Sequence, residues 1–212
     1  MSKKGLLMVL SGPSGVGKDA VRLDFLKECP TITSSVSATT RPIRPGEIDG
    51  VDYFFMSQPE FEAMVERDEF LEYTLYNQKS YGTPRQFVYD QLMAGKDVLL
   101  KIDVKGALNV KKYFPDAVLV FLAPPSMKEL WRRIVGRNSG THEDRVNRFH
   151  LAYSELDYSG QYDYVVVNDW LSDTVDHLAS IYTAEKMRQR FNGDFCENLK
   201  KECIEDEISS DQ

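Results

Sequence analysis

The chain has 212 residues, of which 42% are hydrophobic and 28% charged, proportions that fit one substantial folded core with smaller inserted lobes. A formal net charge of −7 argues against a nucleic-acid partner held by phosphate neutralisation, and no apolar run approaches the roughly 20 residues of a membrane helix. Three dispersed cysteines argue against a disulfide framework and for a reducing compartment, the cytoplasm, while the apolar run after Gly5 is too short and poorly flanked for a signal peptide.

Leu6 to Leu10 is an unbroken apolar stretch, the pattern of a strand buried on both faces of a parallel sheet. A glycine-rich turn follows, then a helical pattern from Lys18 to Cys29. Residues 34–82 break this rhythm, with Pro42, Pro45-Gly46 and Asp49-Gly50 as punctuation. Asp-Gly between Ile48 and the run Val51 to Phe55 predicts a hairpin, and the segment reads as a small inserted lobe with its own mixed sheet. Further helices are predicted over Thr83 to Ala94, Val104 to Tyr113, Ser126 to Val135 and Ser172 to Phe191. Buried strands are predicted over Asp97 to Ile102, Ala117 to Leu122 and Tyr164 to Val167. Strands alternating with helices imply an α/β fold with a parallel sheet. From Asn192 onward the chain is polar and charged, so a fraying helix or disorder is expected beyond about Glu202.

The turn after the first strand reads Gly12-Pro13-Ser14-Gly15-Val16-Gly17-Lys18. Glycines let successive backbone N–H groups point inward at a phosphate, the following helix adds its positive N-terminal end, and Lys18 can reach the outer phosphates.

With the blocks that follow this loop, the chain resembles the guanylate kinase family. The carriers are SGPSGVGK (11–18), SVSATTRPIRPGEIDGVDYFF (35–55), EFLEY (69–73), YGTP (81–84), IDVKGA (102–107) and VVVND (165–169), in order, within a similarity running from about Gly5 to Glu185. The resemblance implies a P-loop nucleoside monophosphate kinase that moves the γ-phosphoryl group of ATP onto GMP with Mg²⁺. Its parts would be a parallel-sheet core, a small mixed β GMP-binding lobe and a helical lid. On this chain that gives core with the phosphate loop at 1–33, GMP lobe at 34–89, core at 90–127, lid at 128–152, and core with a C-terminal helix and tail at 153–212. The implied partners are ATP and GMP, with no nucleic acid and no membrane, and a homodimer is left open.

By resemblance, Arg41, Arg44, Tyr53 and Tyr81 grip the GMP phosphate, a dianion suited to arginine forks and phenolic donors. Guanine offers N1–H and N2–H₂ donors and an O6 acceptor. Glu72 and Asp103 are the matching carboxylates by resemblance, and Ser37 and Thr83 the matching hydroxyls. Adenine would leave buried polar groups unpaired at such a site. The segment Lys128 to Arg148 is arginine-rich, and Arg133 and Arg137, four apart, share a helix face. Gly136, Asn138, Ser139 and Gly140 suit a flexible link, and the resemblance makes Arg133, Arg137 and Arg148 the catalytic arginines beside Lys18. Asn168 and Asp169 match the family's adenine-side loop, which with residues 12–19 completes the ATP site.

Two positions near the metal depart from the family pattern. Asp19-Ala20 follows Lys18 where a hydroxyl normally helps hold Mg²⁺; Asp19 puts a negative charge near the nucleotide, and two readings stay open, a ligand to Mg²⁺ or a charge that weakens ATP binding. Lys101 replaces the first acid of an acid-Ile-acid run. With the signs swapped, Asp19 and Lys101 are expected to face each other and compensate. Three functions stay open: an active ATP:GMP phosphotransferase, a guanylate kinase-like binding module weakened by Asp19, Ala20 and Lys101, and a kinase for another monophosphate. Cys196 and Cys203 are expected to share an apolar helix face rather than a metal, and His142, His150 and His177 show no zinc-ligand spacing.

Overall fold

The structure is a computed structural model that describes residues 4–76, 78–136 and 141–201. In chain order the described elements are β1 (Leu7–Ser11), α1 (Lys18–Glu28), β2 (Ile32–Ser34), β3 (Ser37–Thr39), β4 (Tyr53–Phe55), α2 (Gln58–Glu66), β5 (Phe70–Tyr76), β6 (Lys79–Pro84) and α3 (Arg85–Met93). They continue with β7 (Asp97–Lys101), α4 (Val104–Tyr113), β8 (Val118–Ala123), α5 (Met127–Gly136), α6 (His142–Glu155), a 3-10 turn (Leu156–Gln161), β9 (Tyr164–Val167), α7 (Leu171–Lys186) and α8 (Gln189–Lys201).

The core sheet has the order β2-β7-β1-β8-β9 and every pairing in it is parallel. Successive side chains of β1 point to opposite faces, which explains its continuous apolar sequence. Met8 and Leu10 pack with Val21 and Phe25 of α1 and Leu178 and Tyr182 of α7, whereas Leu7 and Val9 pack with Val88 and Leu92 of α3 and Val110 of α4. Both layers are buried, so β1 is fixed centrally and the loop after it emerges at the C-terminal edge of the sheet. That edge is where open parallel sheets bind ligands.

A second sheet, β4-β3-β6-β5, is mixed: β3 runs parallel to β4 and antiparallel to β6. Phe61 of α2 stacks on Phe70 of β5 with ring centroids 4.4 Å apart, giving this lobe its own small core. The hairpin expected at Asp49-Gly50 does not form. Because β3 and β4 are parallel, residues 40–52 cross over as a loop, and exposed Ile48 and Val51 have no apolar face to bury. Side chains hold the turn instead: Asp49 Oδ1 accepts from the Phe55 N–H at 2.8 Å and Asp52 Oδ2 from the Ile48 N–H at 2.7 Å.

The single helix expected over Ser172 to Phe191 divides into α7 and α8. Asn192 Nδ2 donates to the carbonyls of Lys186 (2.7 Å) and Arg188 (3.2 Å), satisfying acceptors that a helix end exposes. Helix α8 reaches Lys201, and the tail beyond it lies outside the described residues.

Asp97 ties these layers together from a buried position. Its carboxylate accepts from the Leu6 N–H at 2.7 Å, Tyr182 Oη at 2.6 Å and Lys186 Nζ at 2.9 Å. Asp97→Ala leaves those donors without their acceptor and should cost about 3 kcal/mol in urea unfolding. A loss below about 0.5 kcal/mol would show that the hub is dispensable.

Candidate active site

The loop Gly12–Gly17 is shaped by close backbone approaches. Gly12 has φ 144° and a Cβ there would sit 2.3 Å from the Leu122 carbonyl oxygen; Gly17 has φ 105° and a Cβ there would sit 2.5 Å from Asn168 Nδ2. Only glycine tolerates both demands. Asn168 is buried, donates from Nδ2 to the Val16 carbonyl at 2.8 Å and accepts from Thr174 Oγ1 at 3.0 Å. Its side chain therefore clamps the loop, while Asp169 beside it is exposed.

Lys18 curls back over the loop, donating from Nζ to the carbonyls of Gly12 (2.5 Å) and Pro13 (3.1 Å). Burial lowers its ammonium to about 8, against the opposing charge of Glu155. Glu155, the last residue of α6, accepts a hydrogen bond from the Ser14 N–H at 3.2 Å through Oε2, the contact a phosphate oxygen makes with such a loop. Burial raises the Glu155 carboxyl above its ordinary value. No sequence motif signals this acid, which lies 141 residues from Ser14.

The lobe supplies the acceptor side. Glu72 on β5 stands opposite Thr83 on β6, and Thr83 Oγ1 donates to Glu72 Oε1 at 2.6 Å. Burial, reinforced by the charge of Asp103, raises Glu72 to about 7. Asp103 caps α4 by accepting from the Gly106 N–H at 2.7 Å. A Cβ on Gly106 would lie 3.0 Å from both Asp103 Oδ1 and Glu72 Cγ, so the two acids flank that glycine.

Ser37 and Tyr53 are register partners on β3 and β4, and the Tyr53 and Tyr81 rings lie 6.1 Å apart. Arg41 lies 5.3 Å from the Tyr53 ring centroid, with its fork held by both oxygens of Glu47 at 2.9 and 2.7 Å. Glu47 also accepts from the Arg44 N–H at 2.8 Å, while the Arg44 side chain is exposed. Glu47 is thus a second acid, after Glu155, that no sequence motif marks. A cleft of about 160 Å³ between core and lobe is lined by Asp19, Arg22, Ser34, Ser37, Tyr53 and Lys101.

Helices α5 and α6 pack together through Leu130, Ile134 and Ala152, with Trp131 edge-on to Phe149 at 5.4 Å. Arg133 of α5 donates from Nη1 to the carbonyls of Val16 (3.2 Å) and Asn168 (2.9 Å), and from Nε to Glu129 at 2.8 Å. Arg148 is half-buried on α6. Arg137 and the predicted link at Asn138, Ser139 and Gly140 lie outside the described residues, as does Cys203; Cys196 is exposed.

Asp19 and Lys101 do face each other, with Nζ 2.6 Å from Oδ1. Among the described residues no three acids, histidines or cysteines gather into a metal cage. The donor set fits Mg²⁺ delivered with nucleotide phosphates, which needs only one or two protein carboxylates, and Asp19 on the first turn of α1 can be that ligand.

The guanylate kinase family model matches residues 4–185. A guanylate kinase from Caldanaerobacter subterraneus is 44% identical over 204 residues, covering 96% of this chain and 99% of that protein. One from Halalkalibacterium halodurans is 49% identical over 187 residues, covering 88% and 92%. Among solved structures, a guanylate kinase from Anaplasma phagocytophilum superposes with a TM-score of 0.71 at 34% identity, covering 90% of each chain.

The raised Glu72 carboxyl has a stability consequence. Folding favours its protonated form, so its contribution is present below the unfolded value and is lost as pH rises toward about 7. Unligated Glu72→Gln should therefore melt about 3 °C or more above the parent at about pH 8, with the gap shrinking toward about pH 5. Equal melting at the higher pH would show that Glu72 is not held as described.

Proposed function

The chain belongs to the guanylate kinase family, and from that premise we propose that it transfers the γ-phosphoryl group of ATP to GMP, yielding ADP and GDP. The observation that carries the acceptor choice is the buried Glu72–Thr83 pair beside Asp103, in a chain that also carries a glycine-rich phosphate loop. Carboxylates there accept from guanine N1–H and N2–H₂, and the hydroxyls of Ser37 and Thr83 face O6. Adenine would set an acceptor against an acid and leave buried groups unpaired.

Each phosphate has its own cations. The loop of residues 12–17, through the backbone N–H groups of its residues other than Pro13, and the Lys18 ammonium bind the ATP phosphates, with Asn168 and Asp169 on the adenine side. Arg41 and Arg44, with the phenols of Tyr53 and Tyr81, bind the GMP phosphate. Between them a GMP phosphate oxygen attacks the γ-phosphorus as the bond to the ADP oxygen breaks. Protein catalysis in such a transfer is mostly positioning and charge neutralisation. Arg133, Arg137 and Arg148 supply that charge from a lid at 128–152, which excludes water over the GMP lobe at 34–89. Mg²⁺ carried with ATP neutralises charge on the phosphates when bound, with Asp19 as its protein ligand.

The proposed setting is the cytoplasm, without a nucleic-acid or membrane partner. No described helix is long and apolar enough to cross a membrane.

A coupled assay with ATP tests this reading, with AMP, UMP and dGMP as comparators. Turnover should be greatest with GMP. GMP bound in calorimetry without turnover would favour a binding module instead. Arg41→Ala should raise the KM for GMP about tenfold or more while leaving that for ATP within about twofold. An equal rise in both would refute the placement of Arg41.

A further inference from the structure

Lys101 ends β7 at the edge of the sheet where the phosphate loop meets the inserted lobe. Its ammonium hydrogen-bonds to Asp19, and the two side chains are 32% and 60% exposed. A pair this exposed contributes little to folding, so stability alone does not account for it. The pair also opens onto the cleft that Ser37 and Tyr53 line from the opposite side. Lys101 is close enough to Lys18 for its charge to act on that ammonium, after the larger effects of burial and Glu155.

We infer that the Asp19–Lys101 pair is a charge exchanger for the metal–nucleotide: Lys101 leaves Asp19 to contact the terminal phosphate of ATP, and Asp19 turns to the metal. The inference rests on the ATP-site reading above. The chemistry follows from the charges that arrive. Metal-bound ATP brings a dication and a polyanion together, so each member of the resting pair finds an opposite charge of greater magnitude. The four-carbon stem of lysine allows its ammonium to move while β7 stays fixed. Asp19 is on the first turn of α1, adjacent to Lys18, so rotation of its side chain re-aims the carboxylate while the helix stays fixed. Lys101 then acts as a second cation on the phosphate path and substitutes in part for the metal when none is present. Asp19 opposes metal-free ATP twice, by its own charge and by occupying Lys101.

Calorimetric titration of the full chain with ATP, without GMP, tests the exchange in EDTA and again with Mg²⁺. In EDTA, Lys101→Met should bind ATP about tenfold more weakly than the parent, and Lys101→Arg should restore most of that loss. Under the same conditions Asp19→Asn should bind ATP several-fold more tightly, because it removes an anion and frees Lys101. Adding Mg²⁺ should tighten the parent and leave Asp19→Asn with a much smaller gain. Melting curves on each variant establish that it is folded. If folded Lys101→Met and Asp19→Asn shifted metal-free affinity in the same direction, or not at all, the pair would be merely structural and the exchange wrong. If the parent bound no ATP under either condition, the ATP-site reading itself would fall, and the exchange with it.

Discussion

Cations and backbone donors gathered in one cleft repel each other unless anions are present to hold them. This chain meets that constraint with its own carboxylates. Glu155 sits on the Ser14 N–H of the phosphate loop, Glu47 fills the fork of Arg41, and Asp19 pairs with Lys101. Of the three positions assigned to bind phosphate, two are cations paired with a resident acid and the third is a loop N–H that donates to one. The acids come from different elements: the end of α6, the crossover loop before β4, and the first turn of α1. Under the proposed function, arrival of nucleotides is an exchange of anions, with Glu155 at the end of α6 displaced from the loop.

The rest of the architecture serves that convergence. Burial of β1 on both faces fixes where the loop emerges, and Asn168 and Arg133 hold it from β8–β9 and from α5. The lobe's mixed sheet brings Glu72 and Thr83 together by strand register, and the Asp103 cap of α4 adds the second acid. Gly106 permits the approach because any larger side chain would press on both. The site is thus made by backbone geometry first, and side-chain chemistry is placed on it.

Much of this was legible in the chain itself. Continuous apolar runs locate β1, β7, β8 and β9 to within a residue or two, but β9 is not the buried strand expected: it lies at the edge of the sheet, with Val165 and Val167 exposed. The phosphate loop shows because glycines are needed at fixed steps. Pairing direction was not legible at Asp49-Gly50: that dipeptide marks a turn but does not say which strand the next segment joins. Helix α2 carries a readable sign, the Ser57–Glu60 capping box with a proline in its first turn, but it is short and set among the turn residues of the lobe. Glu155 and Glu47 were invisible for a different reason. Their roles depend on long-range or loop geometry, and an isolated glutamate looks like any solvated acid. The Asp19–Lys101 contact, 82 residues apart, could be anticipated only because two departures of opposite sign occurred together.

The central claim is that the acids of the lobe read the guanine edge while the loop holds phosphate. Crystals grown with GMP and ADP test it most directly. The account predicts guanine N1–H and N2–H₂ within hydrogen-bond distance of Glu72 and Asp103, and ADP phosphate oxygens on the loop amides in place of Glu155. A guanine ring lying away from both acids, with the Glu155 contact to Ser14 intact, would contradict it.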